Sequence, residues 1–199
     1  MLELAKVSKN YDSKLVLKDF SFKFKALHKY IITGSNGVGK STLLQIIADV
    51  ILASSGTVSF SIENPKMVLG WVPANASSFL PELSGRENLL FFFSLYSTQT
   101  DAFNSQIEYW ARLEEFNFLD EKVLHYSSGM LQKLNFLRGI IHNPQILVLD
   151  EPLENLDSTS VEMIKAYLIN FKGLLIISTH RCKEWDELNA EIINLEKIK

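Results

Sequence analysis

Gly34-Ser35-Asn36-Gly37-Val38-Gly39-Lys40-Ser41 fits the pattern G-x-x-x-x-G-K-[ST], a loop built to cradle phosphates. Its glycines let the backbone curl until successive N–H groups aim at one anion. Lys40 would reach the β- and γ-phosphates of a nucleoside triphosphate, and the Ser41 hydroxyl would help hold Mg²⁺. The flanks agree with this reading. Tyr30-Ile31-Ile32-Thr33 reads as a short buried strand, and residues 41–53, rich in Leu and Ile with no Gly or Pro, read as a helix. A helix N-terminus adds its positive dipole end to the phosphate site. A glycine turn matches the pattern by chance in roughly one chain of this length in a hundred, so the strand before it and the helix after it decide in favour of phosphate. The nucleotide-contacting set is Gly34, Ser35, Asn36, Gly37, Val38, Gly39, Lys40, Ser41 and Thr42.

The second half of such a site lies farther along. Ile146-Leu147-Val148-Leu149-Asp150-Glu151 reads as a buried strand ending in two acids. Ligands of open α/β sheets bind beyond the carboxyl ends of the strands. Asp150 is therefore placed to help hold Mg²⁺ through water. Glu151, one residue farther out, would orient and deprotonate a water near the γ-phosphate.

The rest of the chain sets these motifs in an α/β order. Residues 2–25 read as β structure, with Phe20-Ser21-Phe22-Lys23-Phe24-Lys25 alternating apolar and polar. Thr57-Val58-Ser59-Phe60-Ser61-Ile62 alternates again, and residues 67–72 form an apolar strand stopped by Pro73. Residues 75–126 differ: they are aromatic-rich and helical in flavour, with helices expected over 87–96 and 105–116. The α/β pattern then resumes. A helix over 130–142 puts Leu131, Leu134, Leu137 and Ile141 on one face. Thr159-Ser160-Val161-Glu162 fits a capping box, opening a helix lined by Val161, Ile164, Leu168 and Phe171. Residues 174–178 make another apolar strand, and 191–195 a last one. The expected fold class is α/β: a P-loop NTPase core with a mostly parallel sheet, an N-terminal antiparallel β layer and an inserted helical subdomain.

Composition narrows the function classes. With 199 residues, one domain with an insertion is expected. A net charge of −3 argues against a nucleic-acid partner, which usually brings a basic surplus. The single cysteine, Cys182, makes no intrachain disulfide and fits a reducing compartment. The N-terminus lacks the apolar run of a signal peptide. Residues 89–96, the most apolar stretch, are too short to cross a bilayer, so a soluble chain is expected.

With these residues in place the sequence resembles the ATP-binding-cassette (ABC) ATPase family, over essentially its whole length. Tyr126-Ser127-Ser128-Gly129-Met130 resembles the family's signature motif, just ahead of the Asp150-Glu151-Pro152 strand end. Leu156-Asp157 resembles the loop that follows, and Ile177-Ser178-Thr179-His180 resembles the strand that carries the switch histidine. Tyr11 stands where the family has an adenine-stacking aromatic. Two departures matter: the family's glutamine after the strand ending at Pro73 is here Ala74, followed by Asn75, and the signature has Ser128 and Met130 in place of a glycine and a glutamine.

The resemblance implies an ATPase that uses ATP and Mg²⁺. Its catalytic residues are Lys40, Glu151 and His180, the last donating to the γ-phosphate. Its metal residues are Ser41 and Asp150. Tyr11 stacks on the base, while Ser127 and Gly129, at a helix start, meet the ATP of a second copy of the chain. It also implies a homodimer of such subunits and an integral membrane permease on a separate polypeptide. The location implied is the cytoplasmic face of the membrane, with residues 81–96 as the docking surface. One ABC ATPase domain spans 1–199, with 1–73 and 130–199 as core and about 74–129 as helical subdomain. Within the family, the small size and the Ser-Ser-Gly-Met run look most like exporters with separate permeases, the small haem-exporter group among them. Two other readings are a soluble ABC ATPase acting in translation or DNA repair, and a small P-loop kinase, which would leave Ser127, Gly129, Glu151 and His180 without roles.

Overall fold

A computed structural model of the protein describes residues 2–12, 14–76, 78–96 and 100–197. Its centre is a five-stranded sheet built from β3 (Lys29–Thr33), β5 (Leu69–Val72), β6 (Ile146–Asp150), β7 (Leu174–Ser178) and β8 (Glu191–Asn194), in the order β5-β6-β7-β3-β8. Every pairing in it is parallel. Strands buried on both faces need continuous apolar runs, and every residue of β6 and β7 is buried. Their side chains alternate between two cores, as the twofold period of a strand requires. Leu147, Leu149, Leu175 and Ile177 face one core, while Ile146, Val148 and Ile176 face the other.

The second core is closed by a three-stranded antiparallel sheet, ordered β2-β1-β4, of β1 (Leu2–Tyr11), β2 (Lys14–Phe24) and β4 (Ser55–Phe60). Leu2, Leu4, Phe20 and Phe24 point inward from it, and α1 (Lys40–Ile47) joins them through Leu43, Leu44 and Ile47. The first core is shared by the sheet and by the segment inserted between β5 and α5 (Ser128–Ile140). That segment carries α3 (Gly85–Ser94) and α4 (Thr100–Ala111). Leu89, Phe93, Phe103, Ile107 and Trp110 pack in one cluster with Leu134, Leu137, Leu147 and Ile177.

Four expectations are corrected in detail. The helix after the phosphate loop ends at Ile47 rather than near Ala53. Asp49, with φ 56°, takes the left-handed conformation that terminates it without a glycine. Residues 67–72 are not one strand: α2 (Pro65–Val68) is a helical turn with proline in its first turn, and only Leu69–Val72 extend. The helix expected over 105–116 starts at Thr100 and ends at Ala111, followed by a separate 3₁₀ turn over Glu114–Phe116. Finally, the cap of α6 (Ser158–Asn170) is Asp157, whose carboxylate accepts from Ser160 N at 2.9 Å and Ser160 Oγ at 3.0 Å. These bonds hold its carboxyl below the usual range. The true capping box lies at Ser84 and Glu87, at the start of α3.

One close approach sets the position of α5. An added Cβ at Gly70 on β5 would lie 2.0 Å from the Gly139 carbonyl, and one at Gly139 would lie 2.4 Å from Val72 Cγ2. Helix and strand therefore touch backbone to backbone, which seats α5 firmly beside the sheet.

Candidate functional site

The phosphate loop spans from the end of β3 to the first turn of α1. At Gly39, φ is 112°, and an added Cβ would meet Leu17 Cδ2 at 3.0 Å and the Val16 carbonyl at 3.2 Å. Both the backbone and the β2 wall exclude any other residue there. Lys40 is 7% exposed, and its ammonium donates to the carbonyls of Gly34 at 2.9 Å and Ser35 at 3.3 Å. Its charge is thus drawn back over the loop, where a phosphate oxygen would compete for the same hydrogens. Ser35 N–H donates to Glu196 Oε1 at 3.0 Å, tying the loop to the residues after β8. No motif signals that last contact.

A cavity of about 510 Å³ opens over the loop. It is lined by Asn36, Gly37, Gly39, Lys40, Ser41, Thr42 and Val16 on the loop side. Glu151, Glu154 and His180 face them. Parallel pairing of β6 with β7 brings the second group together, because Asp150 stands opposite Ser178 in register. Asp150 is buried and accepts a short hydrogen bond from the Ser178 hydroxyl. It lies behind the cavity rather than on its wall, as suits a group that acts on a metal through water.

Glu151 is the conformationally unusual residue of the site. Its φ is 46°, a left-handed conformation that costs a non-glycine residue on the order of 1–3 kcal/mol. The conformation is held by Glu151 N–H donating to the Ser178 carbonyl at 3.1 Å. It turns the carboxylate toward the loop. Oε1 lies 3.0 Å from His180 Nδ1, with the Glu151 side chain 16% exposed. His180 Nε2 accepts from Arg181 Nε at 3.2 Å. In a neutral ring the hydrogen then sits on Nδ1 and is donated to Glu151. The histidine was expected to donate to a γ-phosphate; here its partner is the neighbouring carboxylate.

The other expected residues stand apart from this cavity. Tyr11, at the end of β1, is 43% exposed, with Lys9 Nζ 5.1 Å from its ring centroid. Its face is free of the core, though it does not line the cavity wall. Ser127 caps α5, its Oγ accepting from Met130 N at 3.2 Å. Gly129 follows in the first turn, where a Cβ would come 3.0 Å from the Asn155 carbonyl. Tyr126 anchors this helix start by donating to the Phe118 carbonyl at 2.8 Å, and burial pushes its hydroxyl pKa up. Ser127 and Gly129 do not line the cavity over the loop of their own chain. Ala74 and Asn75 also lie outside the cavity, and Asn75 is exposed. The loop they occupy is pinned at its start by Asn135 Nδ2 donating to the Pro73 carbonyl at 2.7 Å.

Residues 81–96 split between two roles. Leu89 and Phe93 are core, while Leu90, Phe91 and Leu95 are exposed. Leu95 and Tyr96 border a second, apolar cavity of about 770 Å³, completed by Val50, Leu52, Met67 and Trp71. Sequence reasoning missed this cavity because Val50 and Leu52 were placed inside a helix. It also missed Glu154, which resembles an ordinary loop acid until the turn after β6 carries it to the site.

A parallel sheet with a phosphate loop at the carboxyl end of one strand and paired acids at the end of another defines the class, a P-loop nucleoside-triphosphate-binding fold. The ABC transporter family profile matches residues 17–154, and the chain belongs to that family; it is an ABC-type ATPase. An uncharacterized ABC transporter ATP-binding protein of Methanocaldococcus jannaschii is 29% identical over 100% of this chain and 75% of its own length. A Nod factor export ATP-binding protein I of Burkholderia thailandensis is 30% identical over 98% of this chain and 68% of its own. The fold recurs in a bacterial ABC transporter cassette solved as a dimer, with a TM-score of 0.84 and 24% identity, covering 98% of this chain and 94% of that one. Family membership sets aside the small-kinase reading.

Proposed function

We propose that the chain is the ATP-hydrolysing subunit of a membrane transporter whose permease is a separate polypeptide. One observation carries the catalytic part: Glu151, turned by its left-handed backbone, faces Lys40 and Ser41 across one cavity. The loop amides and Lys40 hold the β- and γ-phosphates of ATP. Glu151 accepts the proton of a water in line with the γ-phosphorus, and His180 holds that carboxylate in place. The γ-phosphoryl group passes to water, and ADP leaves with its new charge facing Lys40. Mg²⁺, held by Ser41 and through water by Asp150, would neutralise charge on the β- and γ-oxygens. The donor set fits it, since hydroxyl and carboxylate oxygens suit a hard cation.

Ser127 and Gly129 form an N-terminal helix turn that does not line their own chain's cavity, which supports a head-to-tail pair in which each signature turn meets the ATP of the other chain. The dimeric form of a cassette with the same fold is in keeping with this. Among the described residues no helix is long and apolar enough to cross a membrane. We therefore place the span in the permease and this chain on the cytoplasmic face. The apolar cavity beside Leu95 and Leu52, extending the 81–96 surface, is the proposed seat for the permease. One ATPase domain over 1–199 fits this reading, with 74–129 as the helical part and 1–73 and 130–199 as the core. The test is Glu151→Gln sized by light scattering with ATP and Mg²⁺. A long-lived dimer with little turnover is expected; a monomer hydrolysing ATP normally overturns the reading.

A further inference from the structure

The nucleotide cavity contains one group that ATP hydrolysis does not employ. Glu154 lies one turn after Glu151, its N–H donating to the Glu151 carbonyl at 3.3 Å, so both side chains leave the turn on the cavity side. A carboxylate oxygen of Glu151, a carboxylate oxygen of Glu154 and a ring nitrogen of His180 all lie within 4.8 Å of one another. The three come from the ends of two adjacent strands, on elements whose positions the sheet register sets.

We propose that Glu151, Glu154 and His180 form a binding site for a divalent transition cation, zinc being the best match, distinct from the Mg²⁺ site at Ser41 and Asp150. Two carboxylates and one imidazole make a three-ligand set that leaves a fourth position to water, the arrangement zinc adopts at open sites. Imidazole selects against Mg²⁺, which takes oxygen ligands in a near-octahedral shell. Glu151 Oε1 and His180 Nδ1 already stand 3.0 Å apart, and any wider donor separation, at most 4.8 Å, needs to close to the roughly 3–4 Å set by metal–ligand bonds of about 2 Å. Glu154 and His180 are exposed enough to do so by side-chain rotation. Ligation through Nδ1 moves the imidazole hydrogen to Nε2, and the exposed Arg181 guanidinium, also paired with Glu184 at 3.5 Å, releases the ring. The cation would take the carboxylate that accepts the proton of water, so it would arrest turnover. This regulatory effect rests on the assignment of Glu151 as base; the binding itself does not.

The experiment is calorimetric titration of the ATP-free chain with zinc alone in a non-chelating buffer at pH 7. Wild type, Glu154→Gln and Cys182→Ser are compared, with a melting curve for each. One zinc per chain is expected, with affinity reduced at least tenfold by Glu154→Gln and unchanged by Cys182→Ser. Equal binding by wild type and a folded Glu154→Gln variant overturns the site, as does loss of binding in Cys182→Ser. Should Glu154→Gln fail to fold, Glu154→Ser and His180→Gln replace it under the same criteria. Turnover with Mg²⁺ and ATP is then followed as zinc is added. Half-inhibition at a concentration at least tenfold lower in wild type than in Glu154→Gln supports the regulatory effect. Zinc that binds with the expected dependence on Glu154 but leaves turnover unchanged keeps the site and removes Glu151 as the base.

Discussion

Two cavities of this molecule, the one over the phosphate loop and the apolar one beside Leu95, were written into the chain in different ways. The one over the phosphate loop is built from residue types that its chemistry demands: glycines where φ is positive, a lysine, a hydroxyl and acids at a strand end. The apolar one beside α3 is assembled from a helix end, a loop, an edge strand and the end of another helix, and asks only that Val50, Leu52, Met67, Trp71 and Leu95 be apolar. Chemistry constrains identity at fixed spacing, whereas docking constrains surface character at positions that only the fold brings together. Motif reading therefore finds the first and passes over the second.

The sharpest way to break this contrast is at Lys40. Lys40→Ala is expected to abolish ATP hydrolysis, because it removes the cation that lines the loop side of the cavity. Phosphate release near the wild-type rate would show that the motif had been read without its chemistry. Glu151→Gln comes next. A positioned base contributes about 10²–10⁴ in rate, so turnover should fall by that factor while ATP binding, measured by calorimetry, stays within a few-fold. A fall of less than tenfold would assign the proton to another group.

Legibility follows the same division. The strands over residues 30–33 and 174–178 were readable because fully buried parallel strands leave unbroken apolar runs. The loop and the Asp150-Glu151 pair were readable because their spacing is dictated by a phosphate. The end of α1 was not, since Asp49 stops the helix by adopting a left-handed conformation available to, but not announced by, an aspartate. The cap of α6 was misplaced by two residues because Asp157 and Thr159 are both acceptable caps, and only the backbone path chooses between them. Glu154 and the Glu196–Ser35 bond depend on where turns point, which no periodicity encodes.

The region behind the apolar cavity can be probed by pH. His142 stacks on Tyr96 with ring centroids 3.9 Å apart and has Nδ1 buried without a hydrogen-bond partner among the described residues. Burial lowers its pKa from 6.5 to about 4. The unfolded chain binds this proton more readily, so the stabilising contribution is complete above about pH 6.5 and is lost as pH falls through 4. At about 1.4 kcal/mol per tenfold change in proton affinity, roughly 2 kcal/mol should be gone by pH 5. Urea unfolding of wild type and His142→Phe at pH 7 and pH 5 isolates this from the carboxylates. Parallel losses in the two proteins would show that His142 is not the source. Leu52, 77% exposed, tests the cavity itself. Leu52→Asp should leave hydrolysis by the isolated chain within twofold and weaken permease binding about tenfold, the effect of losing one apolar anchor. Unchanged permease binding would move the docking surface elsewhere.

The smallest effect is expected where the family pattern is broken. Ala74 carries no group that reaches a metal or a water, and the amide next to it in the chain is that of Asn75. The structure places Asn75 at the surface and outside the nucleotide cavity, in a loop pinned by Asn135 at Pro73. For its amide to enter, the loop would have to turn inward when the two subunits close on ATP. The cavity already has Glu151, His180 and Ser41 to orient a water, and Glu154 adds a further acid beside them. Asn75→Ala should therefore change steady-state ATPase activity by less than twofold, with or without the permease. A silent substitution means that this chain hydrolyses ATP without the amide and that its site differs from the common pattern in substance. A tenfold loss, about 1.4 kcal/mol in the transition state, would instead show that closure carries Asn75 into the site. The contrast between the two cavities would then narrow, since a residue that lines neither would serve the chemistry of one.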